Sequence, residues 1–269
     1  MNAIAYVGEQ SINLVATFGE FCRFCGRTLL WVHSALQRKY ARLLMEQFFE
    51  VGTRSLPVVM ITGAFVGMVL AAQSVLSFKA AGLEAKLGSI VNVSVVRELG
   101  PVLTAMVMAG RVGGSLAAVL GTMRVTEQID ALRAMGSDPV RVLVVPRFLA
   151  CLLLLPVLTL YADLTGIAGG YLIGVHVYGI NAHEFWQNAR SVEFFDIFSG
   201  LIKSFLFGGV ISMVCCFRGF TCRSGAAGVG RACTESFVES VVLILALDFF
   251  VGVVLNTVYT VTWGLPPLL

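Results

Sequence analysis

The sequence predicts an all-α, polytopic integral membrane protein. Three observations carry that prediction. Of 269 residues, 57% are hydrophobic and only 13% charged, about half the ~25% charged share of a soluble domain. Apolar stretches of membrane-spanning length recur along the chain, each with at least the ~20 residues a helix needs to cross hydrocarbon. The positive charges concentrate in alternate connections between those stretches. The net charge of +3 is too small to point to nucleic acid.

The first 25 residues contain Glu9, Glu20 and Arg23, and no basic start leads into a long apolar run. This beginning reads as mature protein, not as a secretory signal. Residues 1–56 form an N-terminal cytoplasmic and interfacial helical segment, and residues 57–269 one membrane domain. Within the first segment, Arg27–Glu50 reads as an amphipathic helix. Leu29, Val32, Leu36, Tyr40, Leu43 and Leu44 recur at helical spacing, while Gln37, Arg38, Arg42, Glu46 and Glu50 lie largely elsewhere. With Trp31 it suits the plane of the headgroups, and Arg38, Lys39 and Arg42 argue against a short span.

About five spans follow. Pro57–Phe78 carries no charge at all, and Ile90–Met123 is longer than one crossing. The second should bend or break near Gly100-Pro101, because proline removes a helix hydrogen bond. Val142–Val175, Ile197–Phe217 and Phe237–Trp263 complete the set. An odd number places the termini on opposite sides. With the N-terminus cytoplasmic, thirteen Lys and Arg fall inside and four outside (Lys79, Lys86, Arg190 and Lys203), the bias expected of the positive-inside rule.

Three stripes of small residues predict close helix packing: Gly63, Gly67 and Ala71; Gly110, Gly113, Gly114, Ala117, Ala118 and Gly121; and Gly166, Gly169, Gly170 and Gly174. Charge inside a span is costly, so Arg97, Glu98, Arg111, Asp163 and Asp248 are candidate functional residues. Arg97 and Glu98 are adjacent, point about 100° apart on a helix and do not simply pair with each other. Arg111 lies on nearly the same face as Arg97 if the helix is continuous. Asp163 and Asp248 face protein, accepting hydrogen bonds or pairing with Arg97 or Arg111; a proton relay is the alternative role.

Between the second and third spans, Thr126–Met135 reads as a short polar helix. Thr126 caps it, Glu127 and Gln128 fill its first turn, and Asp130 and Arg133 are exposed. Ile129, Leu132 and Met135 form an apolar edge, and Gly136 with Asp138-Pro139 ends the helix. So short a helix needs a partner surface, either its own protein or a separate subunit. No catalytic set, metal-ligand spacing or nucleotide loop emerges. The seven cysteines are an odd, scattered set and no disulfide framework.

The stretch Val96–Pro139 resembles the signature of the MlaE family of ABC-transporter permeases, also called the YrbE family. The matching words are Arg97-Glu98-Leu99-Gly100-Pro101-Val102, Ala109-Gly110-Arg111-Val112-Gly113 and Gly121–Leu132, followed by Met135-Gly136 and Asp138-Pro139. Weaker likeness covers most of the chain, including Gly63–Leu70, Pro146-Arg147-Phe148, Leu201–Ser204 and Leu247-Asp248-Phe249. The Cys215–Cys233 region and the tail Gly264–Leu269 match no family pattern.

The resemblance implies a homodimeric permease of the bacterial inner membrane without catalysis or cofactor of its own. It implies a cytoplasmic ABC ATPase and an MCE-domain periplasmic lipid-binding protein as partners. The transported substrate is then a phospholipid or related lipid, exchanged in Gram-negative cells to maintain outer-membrane asymmetry. A further small regulatory subunit on the ATPase, the direction of transport and the headgroup stay open. By the same resemblance, Arg97 and Glu98 line a lipid cavity, and first-span residues such as Val66, Val69 and Leu70 are expected to line it beside them. Thr126, Glu127, Gln128, Ile129, Asp130, Leu132, Arg133 and Met135 form the helix that couples to the ATPase. The rival reading is a secondary transporter carrying protons on Asp163 or Asp248.

Overall fold

The computed structural model describes residues 3–35, 38–80, 87–189 and 192–264. Among the described residues every regular element is helical. Five helices are long and apolar enough to cross a membrane: Arg42–Val75, Gly88–Val125, Val140–Val177, Phe194–Phe220 and Ala226–Thr262. Each overlaps one of the five expected stretches, and these ranges are called spans one to five below.

The expected single helix over Arg27–Glu50 is two helices, α1 (Ala3–Ala35) and α2 (Arg38–Phe48). No proline interrupts residues 3–35, so α1 extends far back toward the N-terminus. Tertiary contacts that spacing cannot reveal hold its later turns. Trp31 Nε1 donates to Asp138 at 3.0 Å and Arg27 pairs with the same carboxylate at 3.4 Å. Phe21 and Phe24 meet Phe217 edge-on, with ring centroids 5.3 and 5.7 Å apart. Leu36 and Gln37, and the side chains of Arg38, Lys39 and Tyr40, lie outside the described residues, as do Lys86 and Arg190.

A wide π-helical turn, Phe49–Thr53, links α2 to α3 (Leu56–Ala80). Span two comprises α4 (Leu87–Ser94), a π turn at Val95–Leu99, α5 (Gly100–Met108), a second π turn at Ala109–Gly113 and α6 (Gly114–Val125). Of the expected bend or break at Gly100-Pro101, the break is absent: the chain stays helical through it. The wide turn ends directly before the proline, with the Gly100 N–H donating to the Val95 carbonyl. Pro101 thus sits in the first turn of α5, where a missing N–H costs least. The two wide turns also rotate Arg111 away from the face that carries Arg97, because a π turn holds more residues than an α turn.

After span two comes α7 (Gln128–Ala134), then a π turn at Val140–Val144 and α8 (Val145–Tyr171). A short α9 (Ala182–Ala189) precedes α10 (Phe194–Phe220) and α11 (Ala226–Trp263). The last helix starts about three turns before the expected Phe237. Its polar beginning is held as helix by ion pairs. Arg231 reaches Glu235 at 2.6 Å, while Arg218 of α10 reaches Glu235 at 3.2 Å and Glu239 at 2.7 Å.

Two of the small-residue stripes meet each other. A Cβ added at Gly67 would overlap the Gly166 carbonyl, and one at Gly169 the Ala64 carbonyl. The backbones of α3 and α8 therefore touch, the close approach that replaces a hydrophobic drive between helices in lipid. The third stripe faces elsewhere: Gly113 abuts Cys215 of α10, Gly121 abuts Val229 of α11, and a Cβ added at Gly114 would meet nothing within 4 Å. The core joins Met108, Leu116 and Leu120 of span two to Leu155 and Leu158 of α8, Phe207 and Ile211 of α10, and Ile244 of α11. Span four is central, with 67% of its most apolar window buried, and span five peripheral, with 6%.

Candidate functional site

Spans two, four and five meet at a charged network inside the apolar bundle. At its centre is Lys203 of α10, whose side chain is only 1% exposed. Its ammonium donates to the Glu98 carboxylate and lies 3.0 Å from Asp248 Oδ1 of α11. The second contact is an ion pair whose angle is too oblique for a directed hydrogen bond. A buried ammonium persists only when such partners compensate its lost hydration. The expected partners of Asp248, Arg97 or Arg111, are thus replaced by Lys203.

Arg97 faces the same two helices nearer the start of α10. One guanidinium nitrogen lies 3.5 Å from Asp196, and another donates to the Asn256 side-chain oxygen. Asp196 is itself fixed by a capping box, accepting the Glu193 N–H at 3.1 Å. Tyr259 donates to Glu193, also at 3.1 Å. On α11 the polar positions 248, 256 and 259 recur at i, i+8 and i+11, so one helical stripe supplies them all. Adjacent Arg97 and Glu98 bind different partners, as their angular separation requires. Lys203 is buried, but Glu98 is 45% and Arg97 25% exposed, so the network presents a charged edge at the surface of one chain.

The α3 residues expected beside that edge lie on another side of span two. Val66 borders a narrow hollow with Val95, Leu99, Gly100 and Leu103. Val69 is exposed, and Leu70 packs on the cluster of Ala71, Val75, Val91 and Val95. Arg111 donates to the buried Ser55 hydroxyl, just before α3. Asp163 is buried on α8 against the Gly100 backbone, and its Oδ1 has no hydrogen-bond partner. Arg97, Arg111, Asp163 and Asp248 therefore do not form one set.

The α7 segment departs from expectation at its start. Thr126 does not cap α7; its hydroxyl donates to the Thr122 carbonyl at 2.8 Å, closing α6. Glu127 takes the N-cap position in the left-handed region, φ 59°, with no side-chain cap bond. The chain passes from α6 to α7 through two residues there, and the backbone rather than a side chain makes the turn. The apolar edge is also divided. Ile129 is fully buried and anchors α7 to its own protein, Leu132 is half-buried, and Met135 is 70% exposed. Asp130 is clamped by Arg124 at 2.5 Å and Arg133 at 2.9 Å. Glu127, Gln128, Asp130, Arg133 and Met135 are left on an outward surface.

Sequence reasoning missed Lys203, Asp196 and Asn256. By sequence Lys203 groups with the outer-side charges, just inside the fourth span. The available signal was that it is the single charge in the expected fourth span, which calls for a partner in another span.

These features define a class: a multi-pass, all-helical membrane protein with a charged network within its spans and a short polar helix projecting from one end. Residues 44–254 match the family described as Permease MlaE. The chain is 38% identical to a probable ABC transporter permease protein of Rickettsia typhi, covering 93% of this chain and 96% of the relative. It is 41% identical to a probable ABC transporter permease protein of Synechocystis, covering 83% and 85%. It is also 35% identical to the intermembrane phospholipid transport system permease protein MlaE of Haemophilus influenzae, covering 95% and 98%. The chain belongs to the MlaE permease family. It is a transport subunit and not an enzyme; in an ABC transporter the ATPase activity resides in a separate subunit.

Proposed function

We propose that this chain is the permease of an intermembrane phospholipid transporter of the bacterial inner membrane, with its N-terminus cytoplasmic. Two copies enclose the lipid path. A cytoplasmic ATPase, with or without a small regulatory subunit, engages α7. An MCE-domain protein exchanges the lipid on the opposite side, in the service of outer-membrane asymmetry. Arg97 and Glu98 meet the headgroup, while Val66, Val69 and Leu70 contribute apolar wall once a second copy is present.

The observation that carries this reading is the Lys203-centred network. It holds Glu98 half-exposed and Arg97 a quarter-exposed within a membrane-spanning bundle. Such an edge offers both signs of charge to a zwitterionic or anionic headgroup while exposed apolar side chains accept acyl chains. The likeness to a phospholipid transport permease supports the same substrate class. The outward surface of α7, with Met135 exposed beside charged groups, suits a soluble partner.

The test is phospholipid transfer in proteoliposomes holding the permease with its ATPase and lipid-binding protein. Glu127→Arg plus Asp130→Arg should lower lipid-coupled ATP turnover and transfer about tenfold or more, the effect of about 1.4 kcal/mol of lost interface energy. Insertion and folding should persist, because the exposed Asp130 pairs contribute at most about 1 kcal/mol. Wild-type transfer by this variant removes the coupling role of α7. Wild-type transfer after Arg97→Ala plus Glu98→Ala removes the headgroup role.

A further inference from the structure

About 20 Å along span two from Arg97, at the α7 end of the bundle, lies a separate cavity of about 180 Å³. Arg54 from the turn before α3, Arg111 from span two and Arg147 from α8 all line it, with Glu50 as the one carboxylate in its wall. Glu50 is already engaged by Arg54 at 3.3 Å, and Arg111 spends one nitrogen on Ser55. Arg147 Nη1 is buried and has no hydrogen-bond partner. Three guanidiniums thus converge on a space with a single carboxylate, and a buried charged donor is left unmet. Val112, Leu116 and Val119 supply an apolar side to the same cavity.

A buried guanidinium nitrogen without a partner is costly, and the planar fork of arginine matches the oxygens of phosphate better than any neutral acceptor. The level of the cavity narrows the choice. Arg54 and Ser55 immediately precede Leu56, where the long apolar run of α3 begins. Headgroup phosphates occupy that boundary between hydrocarbon and water. We propose that this cavity binds a phosphate group, supplied by a phospholipid of the leaflet at the α7 end, with its glycerol and first methylenes against Val112 and Leu116. The inference is independent of the lipid path assigned to Arg97 and Glu98, and it survives if that path is wrong.

The full chain, extracted in mild detergent, is washed stepwise and its retained phospholipid counted by native mass spectrometry. Wild type should hold one phospholipid per chain through washes that strip the rest. Arg147→Gln should hold it about tenfold less well, the loss of one charge-assisted hydrogen bond. Should Arg147→Gln fold poorly, Arg54→Gln carries the test, since its side chain is largely exposed. Inorganic phosphate is then titrated into the stripped protein. No displacement of lipid at millimolar phosphate supports the lipid source. Displacement, with thermal stabilisation lost in Arg147→Gln, supports the same site filled by a soluble phosphate. Equal lipid retention by wild type and both variants, with no phosphate response, overturns the proposal.

Discussion

Replacing Lys203 with methionine removes the one cation that two carboxylates share. Met keeps most of the volume, so the change isolates charge from packing. At 3.0 Å, the gross attraction between Lys203 and Asp248 is about 5.5 kcal/mol at an effective dielectric of about 20. Breaking a buried pair from one side typically costs about 3–5 kcal/mol, because the other charge stays buried. Glu98 is 45% exposed and can turn to a polar surface, whereas Asp248 is 23% exposed and cannot do so fully. The expected loss is therefore near the lower bound, about 3 kcal/mol. Asp248→Asn in the Lys203→Met background should recover part of it, giving a coupling energy of about 1–3 kcal/mol between the two sites. Denaturant unfolding in micelles, followed by far-UV circular dichroism across the four proteins of the cycle, reads these values. Additive effects, with coupling below about 0.5 kcal/mol, would refute a buried ion pair at this position.

Gly67→Val should separate α3 from α8 and cost at least about 2 kcal/mol by overpacking, whereas Gly114→Ala, with open space around it, should be neutral or stabilise by up to about 1 kcal/mol; thermal unfolding in detergent measures both. On α1, burial and then the neighbouring Cys22 push the Cys25 thiol up to about 11. Thiolate-directed labelling at pH 8 followed by peptide mapping should therefore modify the exposed Cys22 well before Cys25, with Cys25 gaining reactivity only as pH rises toward 11. Equal labelling of the two at pH 8 would contradict the packing of α1 on its neighbours.

The spans were legible because each is a run of apolar residues whose length is set by the bilayer. Two of the stripes of small residues were legible as packing faces for a similar reason, since absent side chains at i, i+3, i+4 let another backbone approach, although Gly114 of the third stripe faces open space. Their pairing was not. Gly63 and Gly67 meet Gly166, and Ala64 meets Gly169, across a sequence gap that no periodicity bridges, while Gly113 and Gly121 turned to α10 and α11. The same gap hid the partner of Asp248. Lys203 and Asp248 each advertise an unmet charge, but both Arg97 and Arg111 advertise one too, and only the arrangement of helices chooses among them.

Local grammar also misplaced two helix boundaries. Thr126 has the chemistry of an N-cap, yet its hydroxyl closes the preceding helix because Glu127 makes the turn with a left-handed backbone. Around Gly100-Pro101 the expectation of a bend or break followed from proline alone, and the helix does not break there. A π turn before the proline absorbs the missing donor and, by adding residues to the turn, redirects Arg97 and Arg111 to different neighbours.

By itself the sequence determined composition-driven facts: residence in a membrane, five helices long and apolar enough to cross it, and the family signature that lies within and just after the second of them. Those follow from the transfer cost of each residue, a property of the chain one position at a time. The tertiary structure decided which buried charge answers which, that Ile129 anchors α7 while Met135 stays free, and that three arginines remote in sequence face one cavity. Each of these depends on the angle at which one helix meets another, and that angle is set by packing contacts between residues that no local pattern connects.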